Sequence, residues 1–278
     1  MPDSTVSGNT VSETTGAYAI ELSHVSKAFS GHQAVRDLHF AIRPRELVSI
    51  VGVTGCGKST TFNLILGLIP PSEGQVRVNG RDPHTEFGQF RGRIAVVFQD
   101  ARLLPWRTVI QNVQIGMKFA GIPRAEWDGR ARSWLARLGL AGREAAYPHE
   151  LSGGQRQRVA LARSFSVDPG IILCDESFSA LDEVTARALR QEFVDLVRGN
   201  AKTGVVITHF IAEALSIGDR ILVLRPPGHV ADDIAVPPEP DTAQLAVLRQ
   251  RVLAGMTPDA PAGTGAAAST GDPAAAER

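Results

Sequence analysis

The stretch LVSIVGVTGCGKST at 47–60 decides the fold. Leu47, Val48, Ile50 and Val51 form a short apolar run with no helical period, bounded by glycine, which reads as a buried strand. From Gly52 through Gly57, Lys58 and Ser59 the chain then satisfies G-x-x-x-x-G-K-[ST] in the strand-to-helix setting that the pattern requires. Glycine permits the tight turn that aims successive N–H groups of Gly52, Thr54, Gly55, Cys56, Gly57 and Thr60 at one anion. The following helix points its positive end at the same charge. Lys58 is expected against the β- and γ-phosphates of a nucleotide, and the Ser59 hydroxyl on Mg²⁺. The chain has four lysines among 29 basic residues, so a lysine at this place is informative.

A phosphate loop alone suits kinases, GTPases and ATPases. The run IILCDE at 171–176 narrows the choice, because it is an apolar strand ending in two carboxylates. Asp175 is expected to hold Mg²⁺ through water and Glu176 to polarise an attacking water, a tandem that favours hydrolysis over transfer. Further β-type runs at 18–25, 94–98, 205–208 and 221–224 alternate with helical patterns, which implies an α/β domain on a mainly parallel sheet. Between 103 and 163 the pattern is helical, including 124–138, and reads as a helical subdomain inserted between two strands. The first 17 residues and those from 258 onward are rich in small and polar types and read as flexible tails, with a C-terminal segment at 237–257.

Composition sets the outer limits. With 278 residues and 43% hydrophobic content the chain can bury one large core with an attached subdomain. Acidic and basic residues balance at 29 each, which argues against a nucleic-acid partner. No apolar run is long enough to cross a bilayer, so a cytoplasmic location is expected. The two cysteines, Cys56 and Cys174, fall inside the phosphate-site motifs and fit a reducing compartment.

LSGGQRQR at 151–158 opens an apolar-periodic helix (Val159, Leu161, Ala162) and makes a second anion-seeking helix end. With this segment the chain resembles the ATP-binding cassette family over about residues 18–236. The resemblance implies a P-loop NTPase core, an antiparallel β subdomain and a helical signature subdomain. It also implies a head-to-tail dimer with two MgATP, in which Ser152, Gly153, Gly154 and Gln155 of one copy close over the nucleotide of the other. By the same resemblance Phe29 stacks on adenine, Gln99 reaches Mg²⁺ and the attacking water, Asp182 anchors the loop 179–182 at the dimer interface, and His209 contacts the γ-phosphate. Two positions depart from the family pattern: Ser177 stands where proline is usual and Arg45 where glycine is usual before Glu46. Ser177 removes only a pre-set backbone angle.

LLPW at 103–106 resembles the nitrate, sulfonate and taurine importer branch. That likeness implies partner permease subunits, a solute-binding protein and a peripheral position on the cytoplasmic face of a bacterial inner membrane. Leu103, Leu104 and Trp106 are expected to form a docking surface. The alternative is a soluble cassette ATPase acting on nucleic acid or cofactor assembly, but the chain has neither the coiled-coil insertion nor the tandem cassettes of those branches. A cassette that senses ATP without hydrolysing it would lack Glu176 or His209, and both are present.

Overall fold

A computed structural model describes residues 18–257; the expected tails at 1–17 and 258–278 lie outside them. The chain opens with β1 (Ile20–Phe29) and β2 (His32–Ile42), an antiparallel hairpin closed by Ser30 and Gly31, both at positive φ. Such a turn matches the twist of the strands it joins. Then follow β3 (Leu47–Gly52), α1 (Lys58–Ile65), β4 (Glu73–Val78) and β5 (Ile94–Phe98). Three helices come next, α2 (Val109–Ala120), α3 (Arg124–Arg137) and α4 (Gly153–Phe165), and among the described residues no strand interrupts them. The chain closes with β6 (Ile171–Asp175), α5 (Glu183–Gly199), β7 (Thr203–Thr208), α6 (Ile211–Ile217), β8 (Arg220–Arg225), β9 (His229–Ala235) and α7 (Thr242–Met256).

Two sheets result. The smaller is antiparallel, in the order β2-β1-β4; the larger runs β5-β6-β7-β3-β8-β9, parallel except for the β8–β9 hairpin. Alternate side chains of the large sheet enter two cores. Val48, Ile50, Leu173, Val205 and Ile207 pack with the antiparallel sheet and α1, whereas Ile172, Cys174 and Val206 pack with the helical segment and α5. Both faces are therefore covered, which is why these strands read as continuous apolar runs. A third cluster joins β8 and Ile234 of β9 to Val252 and Met256 of α7.

The register puts the site at one level. Phe98 stands beside Asp175, Asp175 beside Ile207, and Thr208 beside Val51. The carboxyl ends of β5, β6, β7 and β3 thus stop together, and ligands of open α/β sheets bind at that edge. The sequence reading differs from the structure in extent: β1 runs on through Phe29, and β2, β4, β9 and α7 complete elements it did not place.

Candidate nucleotide site

The loop after β3 turns on Gly55 and Gly57, with φ of 82° and 95°. At Gly57 a side chain is excluded twice over, since a Cβ there would lie 2.6 Å from the Ala34 carbonyl oxygen. Gly57 is also the N-cap of α1 and no side chain caps that helix, so its leading N–H groups stay free for an anion. Lys58, 8% exposed, donates from Nζ to the carbonyl oxygens of Gly52 (2.7 Å) and Val53 (3.0 Å). The loop's own carbonyls hold the ammonium at the cradle. Ser59 and Thr54 are exposed and Thr60 half-buried, so the hydroxyls face outward, while the Cys56 side chain is buried. Burial pushes its thiol up in pKa, as it does for Cys174, and both behave as packing residues.

Asp175 closes β6 half-buried, and burial first, then the neighbouring Glu176 charge, holds its carboxyl above the usual carboxylate range. Glu176 follows at φ 47°, a left-handed conformation costly for a non-glycine residue, and its N–H is tied to the Ile207 carbonyl at 2.9 Å. That turn brings Glu176 Oε1 to 2.8 Å from His209 Nδ1. An ionised carboxylate only accepts, so Nδ1 is the donor in this contact. Thr208 sets the posture of His209 by accepting from the Phe210 N–H at 3.0 Å.

Gln99, one residue past β5, donates from Nε2 to Ser179 Oγ at 3.1 Å, and Ser179 Oγ donates to the Glu176 carbonyl at 2.8 Å. The Gln99 amide oxygen is left for another partner. Together Ser59, Asp175 and Gln99 offer hard oxygen donors. Among the described residues no cluster of three or more His, Cys, Asp and Glu could cage a metal. This set fits Mg²⁺, which takes few protein oxygens and shares its shell with phosphates and water. Ser177, where proline was expected, is buried and donates to the Val97 carbonyl at 2.7 Å, a tether from this loop to β5 that proline cannot make.

The signature segment lies apart. Ser152 caps α4 in a reciprocal box with Gln155, the Gln155 N–H donating to Ser152 Oγ and the Ser152 N–H to Gln155 Oε1. Gly154 admits no side chain, because a Cβ would lie 2.6 Å from Thr185 Cγ2; Gly153 packs near Leu181. Asp182 is the N-cap of α5 and accepts from the Thr185 N–H, which lowers its pKa. Hence 152–155 and the loop 179–182 form one surface. Among the described residues no hydrogen bond joins it to 52–60 of the same chain. Phe29 ends β1, 44% exposed, with Lys27 Nζ 5.2 Å from its ring centroid. An open π face there is free to stack.

Sequence reasoning missed the long-range ties that hold these parts. Gln157 Nε2 donates to the Phe98 carbonyl, Ser164 Oγ to that of Val96, and Arg163 to those of Ala101 and Arg102, which fasten α4 to β5 and the segment after Gln99. The docking segment also divides. Leu103 packs against the helical core and Leu104 is half-buried, so neither is the exposed contact the sequence suggested. Only Trp106 stands out, at 71% exposed. Asn112 is buried and pins the segment, accepting from the Leu104 N–H and donating to the carbonyls of Leu104, Arg107 and Thr108.

A lysine-bearing loop, a strand-end acid pair and a separate capped signature on one α/β frame define a P-loop ATPase of the cassette type. The profile of the ABC transporter family matches residues 35–179. The chain belongs to that family. It is 42% identical to the taurine import ATP-binding protein TauB of Rhizobium johnstonii, over 76% of this chain and 81% of that protein. It is 37% identical to the aliphatic sulfonates import ATP-binding protein SsuB of Cupriavidus pinatubonensis, over 88% and 81%. Among solved structures it resembles the ATP-binding cassette MJ0796 in a dimeric post-hydrolysis state bound to ADP and Pi. That match has a TM-score of 0.68 and 34% identity, covering 79% of this chain and all of that one.

Proposed function

We propose that this chain hydrolyses ATP between two cassettes to power uptake of a small sulfonate-type anion through a separate permease fed by a solute-binding protein. The observation that carries the hydrolytic part is the 2.8 Å contact of Glu176 with His209 at the strand ends beside the Lys58 loop. In this reading Lys58 and the α1 N-terminus hold the β- and γ-phosphates, and Phe29 stacks on adenine. Ser59, Asp175 and Gln99 would hold Mg²⁺, whose chemistry is neutralisation of phosphate charge. Glu176 accepts a proton from the attacking water while His209 fixes the carboxylate and reaches the γ-phosphate. Ser152, Gly153, Gly154 and Gln155 complete the site from the second copy.

The names of the relatives support import and the solute class. A cleft of about 390 Å³ bordered by Leu66, Phe90 and Ile94, with exposed Phe87 and Phe119 at its mouth, supports a helical permease contact, and Trp106 supports a second. In this reading the chain sits peripherally on the permease, on the cytoplasmic face; no helix of the described residues is long and apolar enough to cross a membrane. A strain deleted for this chain should fail to grow on taurine or an alkanesulfonate as sole sulfur source and grow normally on sulfate. Normal growth on every sulfonate tried overturns the solute class.

A further inference from the structure

Beneath the switch histidine lies a small cavity of about 120 Å³ that the reading above does not use. Phe178, Leu181 and Phe210 give it apolar walls, and three charged residues line the rest, Glu183 and Arg190 of α5 and Glu213 of α6. Glu213, on α6, is 2% exposed, and its Oε2 accepts a 2.6 Å hydrogen bond from Thr208 Oγ1 while its Oε1 is buried with no partner. Arg190, on α5, donates from Nη2 to Glu183 Oε1 at 2.6 Å while its Nε is likewise buried and unpartnered. A buried carboxylate oxygen and a buried guanidinium N–H without partners are each costly, and both residues line this cavity. The space exceeds what one water needs, and the two groups supply the acceptor and the donor that a bridging water requires.

We propose that ordered water in this cavity joins Arg190 Nε–H to Glu213 Oε1, and that Glu213 is a positioning residue for hydrolysis, holding His209 through Thr208 and linking it to the start of α5. Direct hydrogen bonds run from Glu213 to the turn that carries His209 and from Arg190 to Glu183, and the water closes the gap between the two. Thr208 Oγ1 donates a hydrogen bond to Glu213 Oε2 and accepts one from the Phe210 N–H, so the carboxyl fixes the turn that carries His209. At the other end Arg190 holds Glu183, next to Asp182, whose loop is expected at the dimer interface. Arrival of the second copy at 179–182 and the posture of His209 are thereby coupled through buried polar groups. Burial raises the Glu213 pKa and the Glu176 charge adds to the rise, while Thr208, Arg190 and His209 oppose it.

The inference rests on the Glu176–His209 reading, so turnover by His209→Ala serves as the control. Steady-state MgATP hydrolysis by the purified full chain is measured for Glu213→Leu, Glu213→Gln, Arg190→Met and the double variant Glu213→Leu with Arg190→Met. We expect Glu213→Leu to lower kcat roughly tenfold with KM for MgATP within about twofold, because the phosphate loop is untouched. Glu213→Gln, which still accepts from Thr208 and reaches the water, recovers most of that loss, and Arg190→Met adds little to Glu213→Leu. If His209→Ala abolishes turnover while Glu213→Leu keeps wild-type kcat, or if the Glu213 and Arg190 losses simply multiply, the positioning role is wrong. Should Glu213→Leu fold poorly, Arg190→Met decides alone: unchanged kcat in that variant overturns it. A crystal structure with the cavity dry removes the water bridge. If His209→Ala retains turnover, the hydrolytic reading itself fails.

Discussion

Lys58 shows how one side chain can be both structural and chemical. Its ammonium is nearly buried and satisfied by two loop carbonyls, so a nucleotide phosphate must compete with bonds already present. Lys58→Ala leaves those carbonyls without their donor, a loss of about 1 kcal/mol in fold stability, and removes the fixed charge of the cradle. MgATP hydrolysis should fall to background while the thermal transition shifts by only a few degrees; undiminished phosphate release from a folded variant contradicts the assignment. Trp106 and Leu103 make a second residue-level contrast. Trp106 projects to solvent, whereas Leu103 packs on the helical core. Trp106→Ala should change stability by less than about 0.5 kcal/mol and cost about 2 kcal/mol in permease association, and Leu103→Ala should show the opposite order. Thermal melts of the purified variants and co-purification with the permease measure both.

At the scale of elements, α7 shows where the sequence was silent. Its apolar residues point every way, with Leu245, Val247 and Leu253 exposed and Val252 buried, so no single face marks 242–256 as a packed helix. Tertiary contacts place it. Arg251 forms a bidentate pair with Asp232 of β9 at 2.7 Å, and Arg225 of β8 donates to the carbonyls of Gly255 and Ala254. β2 was hidden for a different reason: its buried residues Val35 and Leu38 lie three apart because the register shifts near Asp37, at φ 47°, and the alternation breaks. The strands β3, β6 and β7 were legible because both of their faces are buried, and the loop at 52–59 because its chemistry demands fixed spacing. Ser177 with Val97 and Gln99 with Ser179 were not legible, since 80 residues separate each pair. Val252→Ala should cost about 2 kcal/mol and loosen α7, seen as faster amide exchange over 242–256. The Arg251 pair lowers the Asp232 pKa, so its contribution is present above the unfolded carboxylate pKa near 4 and is lost as pH falls through the lower folded value. Exposure to solvent keeps that contribution small. Asp232→Asn should therefore destabilise at pH 7 and converge with wild type in acid.

In the proposed reading the molecule carries two halves of one site, the phosphate loop and the signature segment, which no hydrogen bond joins among the described residues. The phosphate loop and the Glu176–His209 pair stand at the carboxyl ends of the sheet, while the signature segment forms its own surface with 179–182. Without nucleotide Lys58 is satisfied by loop carbonyls and Ser152 by Gln155, whereas the leading N–H groups of α1 have no side-chain cap. In the proposed reading bound triphosphate brings charge that needs more donors than one cradle offers, and a second copy's α4 N-terminus would supply them. MJ0796, which this chain resembles in fold, is dimeric in its solved structures. Turnover should end the association when the γ-phosphate leaves, so wild type passes through the dimer. Glu176→Gln keeps the shape of the side chain and its contact with His209 but cannot accept a proton from water, and should hold the chain before cleavage. Light scattering of Glu176→Gln with MgATP should give about twice the 29.7 kDa chain mass, against mostly monomer for wild type under turnover and for Lys58→Ala at any nucleotide concentration. A second change, Ser152→Glu, places a carboxylate against the incoming phosphates and should abolish the trapped dimer while leaving nucleotide binding to the monomer intact. A Glu176→Gln protein that binds ATP yet remains monomeric, or a dimer indifferent to Ser152→Glu, means that the two halves are not completed across copies as drawn.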